Sequence, residues 1–308
     1  MSVSAESAPG APVGAATGSL TAMAGRVRRR LTSRAASVAA IVIAMLWTIA
    51  TFGLLVSSFR PEQQIKTTGW WTFFRDPQIT LENYREVLLE GSNPLAGYFL
   101  NSFVITVPSV LFSVFLACLA AYALSWMEWR GRDWVFIGIF ALQIVPLQMA
   151  LVPLLRIFVG WGLEDFEKYW TVWIAHTVFG LPLAVFLLHN FMSELPRELI
   201  EAARVDGADH ARIFRSVALP LVVPAVASLA IFQFLWIWND LLVALIFAGG
   251  TADVAPLTVR LAELAGTRGN EWQRLTAGAF VSMVVPLFVF LSLQRYFVRG
   301  LLAGGLKG

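Results

Sequence analysis

The sequence is poor in charged residues, in cysteine and in histidine. Charged residues make up 14% of its 308 residues and hydrophobic residues 57%, whereas a typical soluble domain carries about 25% charged residues. So few ions cannot cover the surface of a soluble protein of this length, so the composition favours a membrane protein with several spans. The single cysteine, Cys118, excludes a disulfide within the chain and reads as a small buried hydrophobe.

The residues needed for several kinds of chemistry are also missing. A phosphate-binding loop needs a lysine directly after a glycine, and none of the three lysines follows one: Lys66, Lys168 and Lys307. No G-x-S-x-G nucleophile elbow occurs. We therefore expect no ATPase site and no bound cofactor in this chain. Its basic residues are dispersed between hydrophobic runs, which makes nucleic acid an unsuitable partner.

The chain has only three histidines, His176, His189 and His210, and they form no cluster with cysteine and no HExxH motif. We expect no metal site. His176 and His189 lie in one long apolar run, where interhelical hydrogen bonding is the favoured interpretation and a metal ligand or proton relay is the alternative.

Six uncharged runs are each long enough to cross about 30 Å of hydrocarbon. The spans are predicted at about residues 37–59, 98–125, 134–158, 169–192, 220–248 and 275–295. The expected fold class is thus an all-α polytopic membrane protein with six transmembrane helices in a domain over 37–308, after a disordered basic tail over 1–36. Prolines inside the runs predict kinks: Pro146, Pro153, Pro182, Pro224 and Pro286.

The distribution of lysine and arginine predicts the direction of the spans. With the N-terminus inside, 14 of the 23 basic residues lie on the inner side and 8 on the outer side. Positive charge favours the cytoplasmic side. Both termini are therefore expected in the cytoplasm.

The loop over 193–219, between the fourth and fifth spans, predicts two short helices. Pro196 suits the first position of a helix, Gly207 its stop, and Asp209 the start of a second helix. An ion pair between Arg197 and Glu201 would support the first helix. One face of that helix is expected to carry Leu199, Ala202, Ala203 and Asp206. A surface helix bound to lipid should be dominated by basic residues, but this segment mixes charges, which favours docking to a protein partner.

The residues Glu201-Ala202-Ala203, followed by Gly207 and then Leu219-Pro220, resemble the EAA loop of ABC importer permeases. Val217 stands where that family commonly has isoleucine. Further segments are similar to the carbohydrate-uptake branch and its maltose-transporter G-type subunits: Tyr98–Ser102, Trp238–Asp240 and Gln294–Gly308. The resemblance covers roughly residues 37–308.

The resemblance implies a type I ABC importer permease fold in the cytoplasmic membrane and a division of labour among subunits. It implies a second permease as heterodimer partner, two copies of a cytoplasmic ATPase that hydrolyses ATP with magnesium, and an extracytoplasmic solute-binding protein that delivers a sugar. Membrane lipid and the sugar are the remaining expected partners, and direct contact of this chain with the sugar stays open because the second permease is an alternative holder of it. The ATPase-coupling residues would be Glu201, Ala202, Ala203, Asp206 and Gly207.

A second group of residues suits the translocation pathway. Asp240 is the only acid within a predicted span, and an ionisable residue inside a membrane is a functional candidate by default. Near it in sequence lie Gln233, Trp236 and Asn239, which have side chains suited to binding a sugar. Asn101 is a further candidate, and Gln143 and Gln148 are weaker ones. Helix packing or gating is the alternative role for this group.

Two other functions stay open from the sequence. One is an ABC permease for another solute, such as glycerol phosphate or a polyamine. The other is a secondary transporter that needs no ATPase, which predicts several coupling acids in the spans and leaves the loop around Glu201 unexplained.

Overall fold

The computed structural model describes residues 34–90, 93–163, 169–267 and 270–305, with the backbone alone for 34–35 and 295–305. Within these ranges the chain forms helices and no strand. The helices are α1 (Arg34–Ser58), α2 (Glu62–Thr67), α3 (Glu82–Leu89), α4 (Leu95–Trp126), α5 (Arg132–Leu142), α6 (Leu147–Gly160), α7 (Trp170–Ser193), α8 (Arg197–Val205), α9 (His210–Ile213), α10 (Leu219–Trp238), α11 (Leu242–Phe247), α12 (Leu257–Ala265) and α13 (Trp272–Gly305).

The chain divides into two units, residues 1–56 and 57–308. In the first unit the structure describes the greater part of α1, an apolar helix with the length and composition of a membrane span. Residues 1–33 of the predicted tail lie outside the described residues, and the backbone of 34–36 already belongs to α1.

The second unit is built around α4, α7 and α10. Helix α4 packs along α7, and α10 packs against α4, α7 and α13. Small residues on α4 and α7, among them Ala117, Ala121 and Ala184, are fully buried. Side chains of this size let membrane helices approach closely, so that van der Waals packing replaces the hydrophobic effect as the force that holds the spans together.

Five described helical stretches are long and apolar enough to cross a membrane, and α5 with α6 makes a sixth if the bent pair is one span. The predicted span over 134–158 consists of two helices, α5 and α6, which meet at 109°, so the kink predicted at Pro146 is a break between helices. Pro146 is the residue before α6. Its missing N–H and its ring prevent α5 from continuing through it, which explains the break. The other four prolines that predicted kinks lie inside unbroken helices: Pro153, Pro182, Pro224 and Pro286.

The fifth span also differs from the predicted range of 220–248. The helical stretch runs from His210 to Trp238, and the residues after Asn239 form a separate short helix, α11. Apolar residues continue across the break, which is why hydropathy alone extended the span. The break places Asp240 between α10 and α11 and not inside a spanning helix.

The segment between α1 and α4 is held together by a buried arginine. Arg60 is 1% exposed, and its Nη2 donates to the hydroxyls of Thr68 and Thr72 at 2.6 and 3.0 Å. Asn83 on α3 donates to the carbonyls of Ser58 and Arg60 at 2.9 and 2.8 Å. Burial lowers the pKa of the Arg60 guanidinium, and the charge of Asp76 opposes that shift. These bonds hold the residues that follow α1 to one another.

Candidate functional site

The first candidate site is the connection from α8 to α9, which contains the EAA-like residues. Gly207 has φ of +79°, a left-handed conformation that glycine adopts without strain. The N–H of Gly207 donates to the carbonyl of Arg204, and that of Ala208 to the carbonyl of Ala203, both at 3.0 Å. This pair of bonds is the Schellman arrangement, which satisfies the last carbonyls of a helix. The predicted stop at Gly207 is confirmed.

The start of each helix is close to its predicted position. Asp209 accepts a hydrogen bond from the N–H of Arg212 at 2.8 Å and so caps α9, as expected. Pro196 lies one residue before α8, as its N-cap residue and not at the first helical position. The second helix was predicted as a short separate element, but α9 continues through a π-helical turn at Phe214–Ala218 into α10.

Two isoleucines attach this connection to the bundle. Ile200 on α8 and Ile213 on α9 are each 1% exposed and pack in the same core cluster as Leu188 and Met192 of α7. The hydroxyl of Tyr122 on α4 also lies 3.2 Å from Nδ1 of His210. The connection is therefore a fixed surface of the bundle.

The outward face of α8 is mixed in character. Glu201, Ala202 and Asp206 are exposed, and Val205 is exposed at 87%. Ala203, predicted on the same face, is instead half-buried against the core cluster. An ion pair between Arg197 and Glu201 was predicted, but it is not one of the ion pairs that the described residues make. Their charges are thus left for other partners.

The second candidate site is the break after α10. One carboxylate oxygen of Asp240, Oδ2, lies 3.3 Å from Nε2 of His176 and accepts the N–H of Ala244 at 2.9 Å. The carbonyl of Asp240 accepts the hydroxyl of Thr258 at 2.6 Å. Asp240 therefore joins α7, α11 and α12 at one point. A polar group buried in apolar surroundings is costly unless it is hydrogen-bonded, which explains why the two ionisable groups meet.

His176 is fully buried, and its Nδ1 lies 3.0 Å from the carbonyl of Val172. The indole of Trp236 meets its ring edge to face with centroids 5.9 Å apart. The predicted interhelical hydrogen bond of His176 is confirmed. His176 was not among the candidate pathway residues, although a histidine in an apolar run is a signal for a polar contact with another helix.

The other candidates do not converge on Asp240. Gln233 is 1% exposed and donates to the carbonyl of Gly180 at 3.1 Å. Asn101 donates to the carbonyls of Ala252 and Ala255 at 3.2 and 3.0 Å, and its oxygen accepts the hydroxyl of Tyr169 at 2.9 Å. Asn239 is exposed, and its amide donates to its own helix.

A cavity of about 480 Å³ lies between the α5–α6 break, α7 and α10. Gln143, Gln233 and Trp236 line it, together with apolar side chains such as Phe179 and Phe232. Of the predicted pathway residues, the structure thus brings Gln233 and Trp236 to one cavity wall and places Trp236 also beside the His176–Asp240 pair.

Comparison with known proteins gives matches over most of the chain. Residues 97–302 match a family model described as binding-protein-dependent transport system inner membrane component. The osmoprotective compounds uptake permease protein GgtD of Synechocystis is 51% identical over 88% of this chain and 91% of its own length. The alpha-glucoside transport system permease protein AglG of Rhizobium meliloti is 49% identical over 82% of this chain and 67% of its own.

Among solved structures, a chain of a bacterial ABC transporter involved in the import of the acidic polysaccharide alginate has a TM-score of 0.64 to this protein. The match covers 89% of this chain and 99% of the other, at 15% sequence identity. At that identity the likeness establishes the fold alone.

Proposed function

The chain belongs to the family of binding-protein-dependent transport system inner membrane components, and on that premise we propose that it is a permease subunit of an ATP-driven importer of disaccharides or oligosaccharides. A second permease completes the pathway as a heterodimer. Two copies of a cytoplasmic ATPase bind ATP and magnesium, and an extracytoplasmic binding protein delivers the sugar. Both termini lie in the cytoplasm.

The connection from α8 to α9 carries this proposal. It is exposed, capped at both helices and anchored by Ile200 and Ile213. Glu201, Ala202, Asp206 and Gly207 form the surface that docks to the ATPase, and Ala203 supports it from the half-buried side. Exposed Leu199 and Val205, at 45% and 87%, add apolar contact area that a protein partner can bury.

Movement passes from this surface to the far end of the fifth span along one helical stretch. Residues 210–238 form 29 residues of continuous helix, which at about 1.5 Å per residue is about 43 Å long. The coupling surface lies at one end, and Asp240 lies just beyond the other. A displacement of α8 and α9 is therefore delivered to the break that the His176–Asp240 contact holds.

We propose a direct role for some of the candidate pathway residues and an indirect role for others. Trp236 and Asp240, with Asn239 beside them, are the residues placed to contact a solute or gate its passage. Gln233 and Asn101 act indirectly, because their amides bind Gly180 and the 252–255 segment and so fix helices and loops. Aromatic faces and carboxylate or amide groups suit a sugar, which stacks and hydrogen-bonds at once.

The substrate class is inferred from the relatives. The alpha-glucoside permease favours an α-linked glucoside, and the osmoprotective compounds permease supports a second candidate, an uncharged osmoprotective solute. Phosphorylated or cationic solutes would need compensating charges, and Asp240, the one acid near the pathway, is already bound by His176.

The deciding experiment uses the complete complex in nanodiscs with its binding protein. Stimulation of ATP hydrolysis is measured with an α-linked disaccharide, an osmoprotective solute, glycerol phosphate and a polyamine. Glu201→Lys is expected to abolish stimulation, while Glu194→Lys, at an exposed acid that follows α7 and lies outside the docking surface, is expected to retain it. Stimulation by glycerol phosphate or a polyamine alone, or equal effects of both variants, would contradict the proposal.

A further inference from the structure

A second large cavity, which has no role in the proposed function, lies beside α8. It is at the end of the bundle that carries the connection from α8 to α9. Its volume is about 920 Å³. Its walls are the end of α4, the start of α5, the end of α7 and one side of α8. The residues that matter for its chemistry are three arginines, three acids and three tryptophans: Arg132, Arg197, Arg204, Glu128, Asp133, Glu201, Trp126, Trp129 and Trp134.

The side of α8 that faces this cavity shares Glu201 with the docking surface and otherwise consists of different residues. Arg197, Glu201 and Arg204 follow one another at intervals of four and three residues, which places them on one face of a helix. Ile200, on the adjacent side, enters the core at 1% exposure. Leu199, Ala202 and Asp206 share the opposite side. Helix α8 therefore presents a charged face to the cavity and Ala202 and Asp206 to the ATPase, with Glu201 at the edge between the two.

The charges on the cavity wall are only partly satisfied within the chain. Arg132 pairs with Asp133 at 3.2 Å, and Nη2 of Arg204 donates to the carbonyl of Trp126 at 3.1 Å. The side chains of Glu128, Arg197 and Glu201 make no ion pair or side-chain hydrogen bond with the part of the chain that the structure describes. These three side chains are exposed, and together they offer both signs of charge to a ligand that carries both.

The tryptophans indicate that the cavity opens at the membrane–water interface. Indole side chains concentrate where hydrocarbon gives way to headgroups. Trp134 is 78% exposed, and Ile137, one turn further along α5, is 53% exposed and also lines the cavity. Charged side chains in the cavity are thus followed, within one helical turn, by an apolar helix surface. A phospholipid has the same order of groups, with a charged headgroup followed by apolar acyl chains.

We propose that this cavity binds the headgroup of a phospholipid that carries both a phosphate and an ammonium group, as phosphatidylethanolamine does. Arg197, supported by Arg132 and Arg204, binds the phosphate, because guanidinium groups match its geometry. Glu128 and Glu201 accept hydrogen bonds from the ammonium group. The acyl chains follow Trp134 and Ile137 along α5. The equal number of acids and arginines distinguishes this site from the purely basic pockets that select anionic lipids.

The site would give the membrane a direct contact with the coupling helix. A headgroup bound to Arg197 restrains α8 from the side opposite Ala202 and Asp206 of its docking surface. This consequence for coupling rests on the proposed function, whereas lipid binding itself does not. A complex that imports no sugar but passes the lipid test refutes only the proposed function.

The test uses the complete complex in nanodiscs that contain a phosphatidylethanolamine with a photoreactive group near the headgroup. Adducts are mapped to peptides by mass spectrometry. Arg197→Gln should lower adducts on the cavity peptides at least about tenfold, because it removes a charge-assisted hydrogen bond. Glu128→Gln should lower them less. Arg212→Gln and Glu198→Gln, exposed positions that do not line the cavity, serve as controls and should leave the adducts unchanged.

Competition and subunit removal provide the remaining outcomes. Unlabelled phosphatidylethanolamine should compete at least about tenfold better than phosphatidylglycerol if the acids bind the ammonium group. Equal competition by the two lipids, or adducts unaffected by Arg197→Gln, would overturn the proposal. Adducts that form only after the ATPase has been stripped from the complex would also overturn it, since the ATPase would then be the natural occupant.

Discussion

The left-handed turn at Gly207 allows a substitution whose cost can be worked out from the backbone alone. A Cβ built on Gly207 meets no atom within 4 Å, so a larger residue causes no clash. The cost comes from φ of +79°, which is worth about 1–2 kcal/mol for an ordinary L-residue. Valine should reach the upper part of that range because its branched Cβ is poorly tolerated at positive φ.

A cost of this size should be decisive for so short a helix. Helix α8 has nine residues, and isolated helices shorter than about 12 residues are marginal in water. Its end is fixed by the two bonds from Gly207 and Ala208, and both require the left-handed turn. An increase of about 1–2 kcal/mol lowers the population of that turn by a factor of about 5–30, while Ile200 and Ile213 still hold the connection to the bundle.

The expected result is therefore a complex that assembles but couples poorly. Gly207→Val should reduce binding-protein-stimulated ATP hydrolysis and sugar uptake at least about fivefold. Gly207→Asn should stay close to the wild type, because asparagine tolerates this conformation, and Gly207→Ala should fall between them. All three complexes are compared in nanodiscs at equal subunit content. Normal stimulation and normal uptake in Gly207→Val would refute the role of this turn.

Four further results are expected. Asp240→Asn should alter uptake while the complex still assembles, because the amide oxygen can still accept the N–H of Ala244 but no longer carries a charge toward His176; unchanged uptake and unchanged apparent affinity would reduce Asp240 to a packing role. Gln233→Leu should retain substrate preference and lose only complex yield, as its amide binds Gly180; an altered preference among sugars would return Gln233 to the pathway. In a Cys118→Ala background, Val205→Cys, at a position 87% exposed, should react only with reagents that enter the cytoplasm, and labelling of intact cells by an impermeant reagent would reverse the proposed orientation. Deletion of Ser216 from the π-helical turn should rotate α9 relative to α10 by about 100° and uncouple ATP hydrolysis from uptake, whereas normal coupling would show that the two helices need no fixed rotational phase.

The connection from α8 to α9 was predicted well from the sequence, because its structure depends on interactions between residues that are close in sequence. Pro196, Gly207 and Asp209 act on their own backbone neighbours, and each lies within one residue of its expected position. The second helix was predicted to be separate from a span that begins at Pro220, whereas α9 continues through Phe214–Ala218 into α10, because a proline in the first turn of a helix does not break it. Burial of Ala203 depends on the angle at which α8 meets the core, which no local pattern contains.

The bounds and contacts of the membrane-spanning helices were predicted less well. Hydropathy found the apolar runs but extended the fifth span through Asn239 and Asp240, since one acid hardly changes the mean hydropathy of a long window. The partner of Asp240 lies 64 residues away on α7, so only the packing of α7 against α10 could reveal it. His176 and Asp240 are both expensive in hydrocarbon, and a bundle that buried either alone would be destabilised.

The same pairing explains why the break after Trp238 can serve a moving transporter. If α10 simply continued, a displacement at its coupling end would move the whole stretch as one rod and pass into α11. Instead, the helix ends, and the hydrogen bonds of Asp240 to His176, Ala244 and Thr258 connect its end to three other helices. Such contacts can be exchanged for alternatives at a cost of about one hydrogen bond each, whereas a close-packed apolar contact resists gradual deformation. The end of a rigid helix that is held by exchangeable polar bonds can therefore be rearranged one bond at a time, which is what the proposed import function needs at this position.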